Sequence, residues 1–586
     1  MFSIFYQKNN NKDLFKSLEE IVNSTKNQNY IPIYKNFFNI NKQNFNNINL
    51  NHKYNLSLIN NKKTENIYNC SLTFGDNQTL CRDSFFKFSP LLDPLKYMTG
   101  KYKNITEDEL LSLPDIEKNK CIEKVSRINN SAYIDSFFSY LSSQLLHEHG
   151  FIHGLDFYGS FICIKNQYEF DIIEDLEFLN DSTYFHKNKN IKYNITKSSN
   201  INLFSETTRN YKEKIEFLDD KLSFKIDDNS DLKFDDLFIK NSQPLTEKNL
   251  KEFNLKNNIV FQQDISNNKK SLSSTSSSTS CSSRSSKTSD ESENVSLDSN
   301  YMENNSESRN SNSDYSDDSE TDTTLSSNIT AKAKINEFPV QLISLELMDN
   351  TMDELMELDG EEVLEDKEWI SCFFQIIITL ITYQKAFDFT HNDLHTNNIM
   401  YKNTDKKFIY YLYNSKYYKV PTYGKIYKII DFGRAIYKYK EKVIMSDSFH
   451  PKGDAAGQYN YDIYLNKDKT TILPNKSFDL CRLGTSLFDF FVDDIMELNI
   501  DDLDPVEKMA VKWCYDDKGK NVLYKNNGVE RYPDFKLYKM ISRTVHNHNP
   551  SEIIKDNLFK RFLISKKKIG KKPKIINIDK IPRYYE

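Results

Sequence analysis

The sequence predicts an α+β protein in two parts, strand-rich first and helix-rich second, with a stretch of foreign composition between them. Short aromatic and β-branched runs mark the first part, Phe85–Phe88 (FFKF) and Val340–Leu347 (VQLISLEL) among them. A long apolar segment, Glu368–Phe387, marks the second. Between the two, Ser271–Thr330 holds 23 Ser and 11 acidic residues among 60, too little apolar surface to offset the entropy of ordering it.

In chain order, residues 1–54 read as an N-terminal extension. Residues 55–350 form the strand-rich part, interrupted by a disordered insert at 265–330. Residues 351–560 form the helical part, and 561–586 a basic tail. Tyr133–Leu146 places Tyr133, Phe137, Phe138, Leu141 and Leu145 on one helical stripe. Val340–Leu347 reads as a buried strand, Met348-Asp-Asn350 as a turn, and Met352–Leu358 as a helix start. Glu368–Phe387 contains the window WISCFFQIIITLITY, too short to span a bilayer and broken by Gln375, so a buried core helix is expected. Lys425–Ile430 is a strand running into Asp431-Phe-Gly433. Lys560–Glu586 has ten Lys or Arg against two acids and reads as a solvated tail.

The chain has 586 residues, with 78 Lys+Arg against 84 Asp+Glu, for a formal net charge of −6. The Ser-rich stretch alone contributes 3 − 11 = −8, so the remainder is nearly neutral. Nucleic acid is therefore not expected as a partner, except weakly through the basic tail. Eight scattered Cys without a CxxC pair give no zinc site and fit a reducing compartment. The start MFSIFYQKNN lacks the pattern of a secretory signal. An intracellular soluble protein is expected, with no transmembrane segment.

Two short motifs carry chemistry. His391-Asn-Asp-Leu-His-Thr-Asn-Asn398 follows the long helix, and Asp431-Phe432-Gly433 ends a strand. Phosphoryl transfer needs a carboxylate to orient the attacking hydroxyl, and hard oxygen ligands to hold Mg²⁺ against the nucleotide phosphates. Asp393 can supply the first; Asn398 and Asp431 can supply the second.

These residues match H-x-D-x-x-x-x-N and D-F-G, and the chain resembles the protein-kinase superfamily. The resemblance implies a bilobal kinase-like fold with a β-rich small lobe and a helical large lobe, binding ATP and Mg²⁺. It places Asp393 as the catalytic base and Asn398 and Asp431 as metal ligands, with His391 in structural support. Leu345 becomes the gatekeeper, and the backbone of Glu346 and Met348 faces adenine. Lys87 resembles the ATP-anchoring Lys, with Asp135 preferred over Glu148 as its partner. Asp479, in Ser477-Phe-Asp-Leu-Cys-Arg-Leu-Gly484, braces the catalytic loop.

Departures from the pattern are plain. No GxGxxG precedes Lys87, and Gly75 alone is available for a phosphate lid. Asn398 and Asp431 are 33 residues apart, so Asn403–Tyr423 must be an inserted β-excursion. No A-P-E closes the activation segment, although Gly453-Asp-Ala-Ala-Gly-Gln-Tyr459 offers a substitute. His395 stands where a Lys commonly neutralises the transferred phosphoryl group. Position 392 is Asn rather than Arg, which implies activity independent of activation-loop phosphorylation.

Lys425–Ala435 and Phe88–Asp93 are similar to divergent kinase-like proteins of large nucleocytoplasmic DNA viruses, the mimivirus type, distantly related to poxvirus virion kinases. A viral origin implies the host cytoplasm or packaging in the virion. The leading expectation is a protein kinase directed at Ser or Thr, with the Ser-rich insert as its own substrate. Two alternatives stand beside it: a small-molecule phosphotransferase of the aminoglycoside or choline kinase type, and a pseudokinase acting as a scaffold.

Overall fold

The strand-like runs of the first part pair into a single sheet in a computed structural model. It describes residues 2–116, 120–197, 331–356, 364–450, 453, 455, 458–459, 472–532, 536–570 and 573–586. The insert expected at 265–330 lies outside the described residues. The described residues belong to one compact unit with a mixed α/β architecture.

Seven antiparallel strands build the main sheet: β1 Ser24–Gln28, β2 Asn55–Lys62, β3 Ile67–Phe74, β4 Gln78–Pro90, β5 Phe157–Asp171, β6 Tyr193–Lys197 and β7 Ala331–Glu346. Their order is β1-β5-β7-β4-β3-β2, with β6 also paired to β7. β7 is central, and every residue from Phe338 to Leu345 is buried, the polar Gln341 and Ser344 included. The edge strand β1 comes from the N-terminal extension, pairing Ser24 with Lys165 and Thr25 with Ile164 of β5.

The helix expected over Tyr133–Leu146 is α1, Ser131–His149. The Asn130 side chain caps its first turn, accepting from the Ala132 N–H, and Gly150 ends it at φ +66°. Ala132 through Leu145 are all buried, so α1 is enclosed rather than resting one stripe on the sheet. The long apolar segment is α2, Asp366–Phe387, opened by a capping box between Glu365 and Glu368. Among the described residues it is the one helix long and apolar enough to cross a membrane, and 94% of its most apolar window is buried in the protein.

After α2 come β8 Ile399–Asn403, the hairpin β9 Phe408–Tyr413 and β10 Lys416–Pro421, and β11 Lys425–Ile429. β8 and β11 pair antiparallel with Ile399 opposite Ile429, so the chain leaves on β8 and returns on β11 to the same place. Ile430 N–H donates to Asn398 O at 3.0 Å. The separation of Asn398 and Asp431 thus closes to one hydrogen bond at Ile430, and the hairpin is the inserted excursion that the spacing demands.

The solvated reading of the basic tail is corrected. β12, Leu563–Ile564, pairs with β10, and β13, Ile575–Asn577, pairs parallel with β9. Ile576, Ile578, Ile581 and Tyr584 are buried. Tyr584 stacks on Phe2 at 4.1 Å and on Phe387 at 5.5 Å, and its hydroxyl meets His149 Nε2 at 2.6 Å. The excursion hairpin has two open edges that need strand partners, and the spaced apolar residues of the tail supply them among the lysines.

Among the described residues, the longer helices of the second part after α2 are α3 Phe478–Phe491, α4 Pro505–Trp513 and α5 Lys536–Thr544. α3 and α4 touch at Gly484, where a Cβ would lie 2.7 Å from Trp513 Cβ and 3.1 Å from Ala510 O. A glycine is required by that close approach.

Candidate active site

Strand pleating places Phe86 and Phe88 in the core and turns Lys87 to the other face of β4. There Lys87 Nζ lies 2.7 Å from Asp135 Oδ2 and 2.9 Å from Asp431 Oδ1. The three side chains are 17%, 4% and 7% exposed, so the pairs sit largely out of water. Burial alone would lower the Lys87 ammonium, but its two carboxylates outweigh burial and hold it well above its usual range. Asp135 is pushed up by burial and by Asp431, against the pull of Lys87. Its second oxygen accepts the Phe432 N–H at 2.9 Å, which ties α1 to the Asp431–Gly433 turn. Glu148, at the far end of α1, is exposed. Asp431 adopts φ +61°, sparsely populated for a residue with a Cβ, and Phe432 beneath it packs on Phe138 at 4.6 Å.

The second cluster surrounds Asp393. Asp479, in the first turn of α3, accepts the His391 and Asn392 N–H groups, each at 2.9 Å. Burial raises its carboxyl to about 6. His391 Nε2 meets Ile430 O at 2.9 Å, and its ring packs 5.8 Å from Phe432. The Asp393 Oδ1 accepts from the Tyr538 hydroxyl at 2.7 Å, and Oδ2 lies 3.5 Å from Arg434 Nη1. Arg482 Nε donates to that same Tyr538 oxygen at 3.0 Å. Burial would raise the Asp393 carboxyl; Arg434, His395, Arg482 and the Tyr538 hydroxyl outweigh it and hold the group well below the ordinary carboxylate range. Asp393 is therefore an ionised carboxylate with fixed direction.

Asn398 supplies the test of a metal site. Its Nδ2 donates to Asp393 O at 2.9 Å and lies 3.1 Å from the half-buried His395 Nε2. That carbonyl fixes the amide orientation, and the remaining Oδ1 is buried with no hydrogen-bond partner. An orphaned buried acceptor costs about 1–3 kcal/mol, which a cation would recover. A neutral amide oxygen together with a carboxylate such as Asp431 is the donor chemistry that Mg²⁺ takes.

Leu345, Glu346 and Met348 lie at the exit of β7, with Leu345 and Met348 buried. No hydrogen bond or ion pair joins them to Lys87 or Asp393. The Glu346 N–H is taken by Asp156 O at 3.0 Å, and its carboxylate forms a buried pair with Lys428 and accepts the Asp156 N–H at 2.8 Å.

Gly75 is corrected as a phosphate lid. It turns β3 into β4 at φ +52°, while Lys87 lies nine residues beyond Gln78, roughly 30 Å along an extended strand. The turn beside Lys87 joins β2 to β3 and contains no glycine; its Asn66 O accepts the Phe86 N–H at 2.7 Å. Sequence reasoning also missed Tyr538, Arg482 and Lys428. Arg434 was visible directly after the Asp431 motif, but Tyr538 is 145 residues from Asp393 and no local pattern announces it.

No family model matches the chain. A 99-residue stretch is 32% identical to the protein named "Probable kinase 098L" of Invertebrate iridescent virus 3, over 17% of this chain and 19% of that protein. A 143-residue stretch is 30% identical to "Uncharacterized protein 098R" of Invertebrate iridescent virus 6, over 23% of each. The chain spans about a fifth of the length of the curated relatives it matches. At that level it is kinase-like in sequence.

Proposed function

We propose that the chain is a kinase that uses ATP and Mg²⁺ to phosphorylate a protein hydroxyl, Ser or Thr, on a bilobal kinase-like fold related to those of large DNA viruses. One observation carries the proposal. A buried Lys87 is bridged to Asp135 and Asp431, alongside an ionised Asp393 and the orphaned oxygen of Asn398. The sheet order supports it too, with Lys87 on the strand beside β7 and its carboxylate partner on the helix that precedes β5.

The residues divide the work. Lys87, held charged and oriented by Asp135, binds phosphate oxygens. The backbone of Glu346 and Met348 would face adenine, with Leu345 as gatekeeper. Asn398 Oδ1 and Asp431 would hold Mg²⁺, whose charge would offset that of the phosphates. Asp393 orients the acceptor hydroxyl and takes its proton, and His395 stands where it can offset charge on the transferred group. Asp479 fixes the loop from below through His391 and Asn392. Catalysis is then positioning and electrostatic stabilisation.

The test is radiolabelled phosphate transfer from ATP with Mg²⁺ to casein, a basic protein and the protein itself. Transfer by the wild type that is lost in Asp393→Ala and Asp431→Ala supports the proposal. Transfer that persists in both variants overturns it. Bound ATP without transfer to any protein would leave a nucleotide-binding scaffold or a small-molecule acceptor.

A further inference from the structure

The helix that brings Tyr538 to Asp393 also carries cations with no counter-charge. α5 holds Lys536, Lys539 and Arg543; Lys536 and Arg543 are exposed and Lys539 is half-buried. At about 100° per residue, Lys539 and Arg543 share one face, with Lys536 at its margin. That face borders the one carrying Tyr538, which donates to Asp393, and Ser542, which donates to Tyr459 O at 3.1 Å. Among the described residues, no carboxylate pairs with any of the three cations. The nearby Asp517 is committed to His546 at 2.6 Å. Burial and the Arg543 charge lower the Lys539 ammonium, as expected where cations meet without an anion.

The cations at the site itself, Lys87 and Arg434, are taken up by Asp431 and Asp393, so an acidic acceptor would draw its counter-charge from outside that cluster. The chain also contains its own acidic hydroxyl-rich segment, including Ser316-Asp-Asp-Ser-Glu-Thr-Asp322.

We infer that Lys539 and Arg543 of α5 select acceptor segments in which the hydroxyl is flanked by Asp or Glu, and bind those acidic residues. The inference rests on the protein-kinase reading for its chemistry, but the binding it requires does not. Two partly exposed ion pairs together are worth roughly tenfold in affinity.

The experiment uses the full chain and two fluorescent peptides: residues 314–326 of this sequence, and the same peptide with its acids replaced by Lys. Anisotropy at two salt concentrations gives binding, and transfer from ATP gives kcat/KM for each. The wild type is expected to prefer the acidic peptide by roughly tenfold, more at low salt. Lys539→Glu with Arg543→Glu should abolish or invert the preference. Lys539→Gln with Arg543→Gln, which removes charge without adding repulsion and guards against misfolding, should reduce it. An acidic preference unchanged in both double variants overturns the inference, as does binding indifferent to peptide charge. Preference-dependent binding with no transfer to either peptide would uphold the basic surface and count against the kinase reading, which the casein and basic-protein assay then decides. Transfer without an α5-dependent preference would do the reverse.

Discussion

Asp135 is the joint between the enclosed helix and the Asp431 turn, and its replacement by Asn isolates charge from shape. Asn retains an oxygen for the Phe432 N–H and almost the same volume. What it removes is the negative partner 2.7 Å from Lys87. Breaking a buried ion pair outright costs about 3–5 kcal/mol, because it strands the surviving charge. Here Lys87 keeps Asp431 at 2.9 Å, so the loss approaches that of one charge-assisted hydrogen bond, about 1.5–3 kcal/mol. Urea unfolding followed by tryptophan fluorescence should show a lower midpoint with an unchanged slope, corresponding to about 2 kcal/mol. The functional effect should be larger on ATP than on the acceptor. With Asp431 alone to orient it, Lys87 is drawn towards the metal ligand, and KM for ATP should rise roughly tenfold, the equivalent of about 1.4 kcal/mol of lost binding. Asp135→Glu, which keeps the charge but lengthens the arm, should fall between. An Asn variant that unfolds with the wild type and binds ATP equally well would refute the claim that Asp135 orients Lys87.

Three further outcomes follow from the same structure. Burial raises Asp479 to about 6 from 3.8, so the folded chain holds that proton more tightly than the unfolded one, and this group's contribution to stability declines as pH rises from about 4 to 6. The unfolding free energy of wild type minus Asp479→Asn, measured across that window, should fall by up to roughly 3 kcal/mol; a flat or rising difference sinks the assignment. Tyr584→Ala removes a buried ring stacked on Phe2 and Phe387, and should cost about 3–5 kcal/mol in thermal or urea unfolding, whereas a solvated tail would give no change. Arg434 is already paired with Asp393, so phosphatase treatment should leave phosphoryl transfer within twofold; a large loss mapped to residues 434–476 refutes this.

Much of the site was legible because it is local. His391 to Asn398 and Asp431 to Gly433 are contiguous, and the strands flanking them announce the antiparallel pair that brings them together. Asp135 could be preferred from helix position alone, and the geometry unites it with Lys87. The failures share a cause of another kind. Gly75 stood out as the one glycine available for a lid, but strand register decides which end of β4 a turn covers, and register is a property of the partner strand. Tyr538 and Arg482 lie on helices whose approach to Asp393 depends on tertiary packing. The tail misled because ten cations dominate its composition, while four buried apolar residues, spaced two or three apart, decide its fate.

The excursion hairpin also sets a schedule for the newborn chain. β9 and β10 leave the ribosome long before β12 and β13, whose residues follow the hairpin by roughly 150 positions. At about 5–20 residues per second, both edges of an aromatic-rich hairpin, Phe408–Pro421, stay open for roughly 10–30 s. Such edges invite pairing with neighbouring chains, so polysomes crowded with this message are where the protein is most prone to aggregate. Slower translation would lengthen the exposure, and a chaperone that masks extended segments would have most effect in that interval.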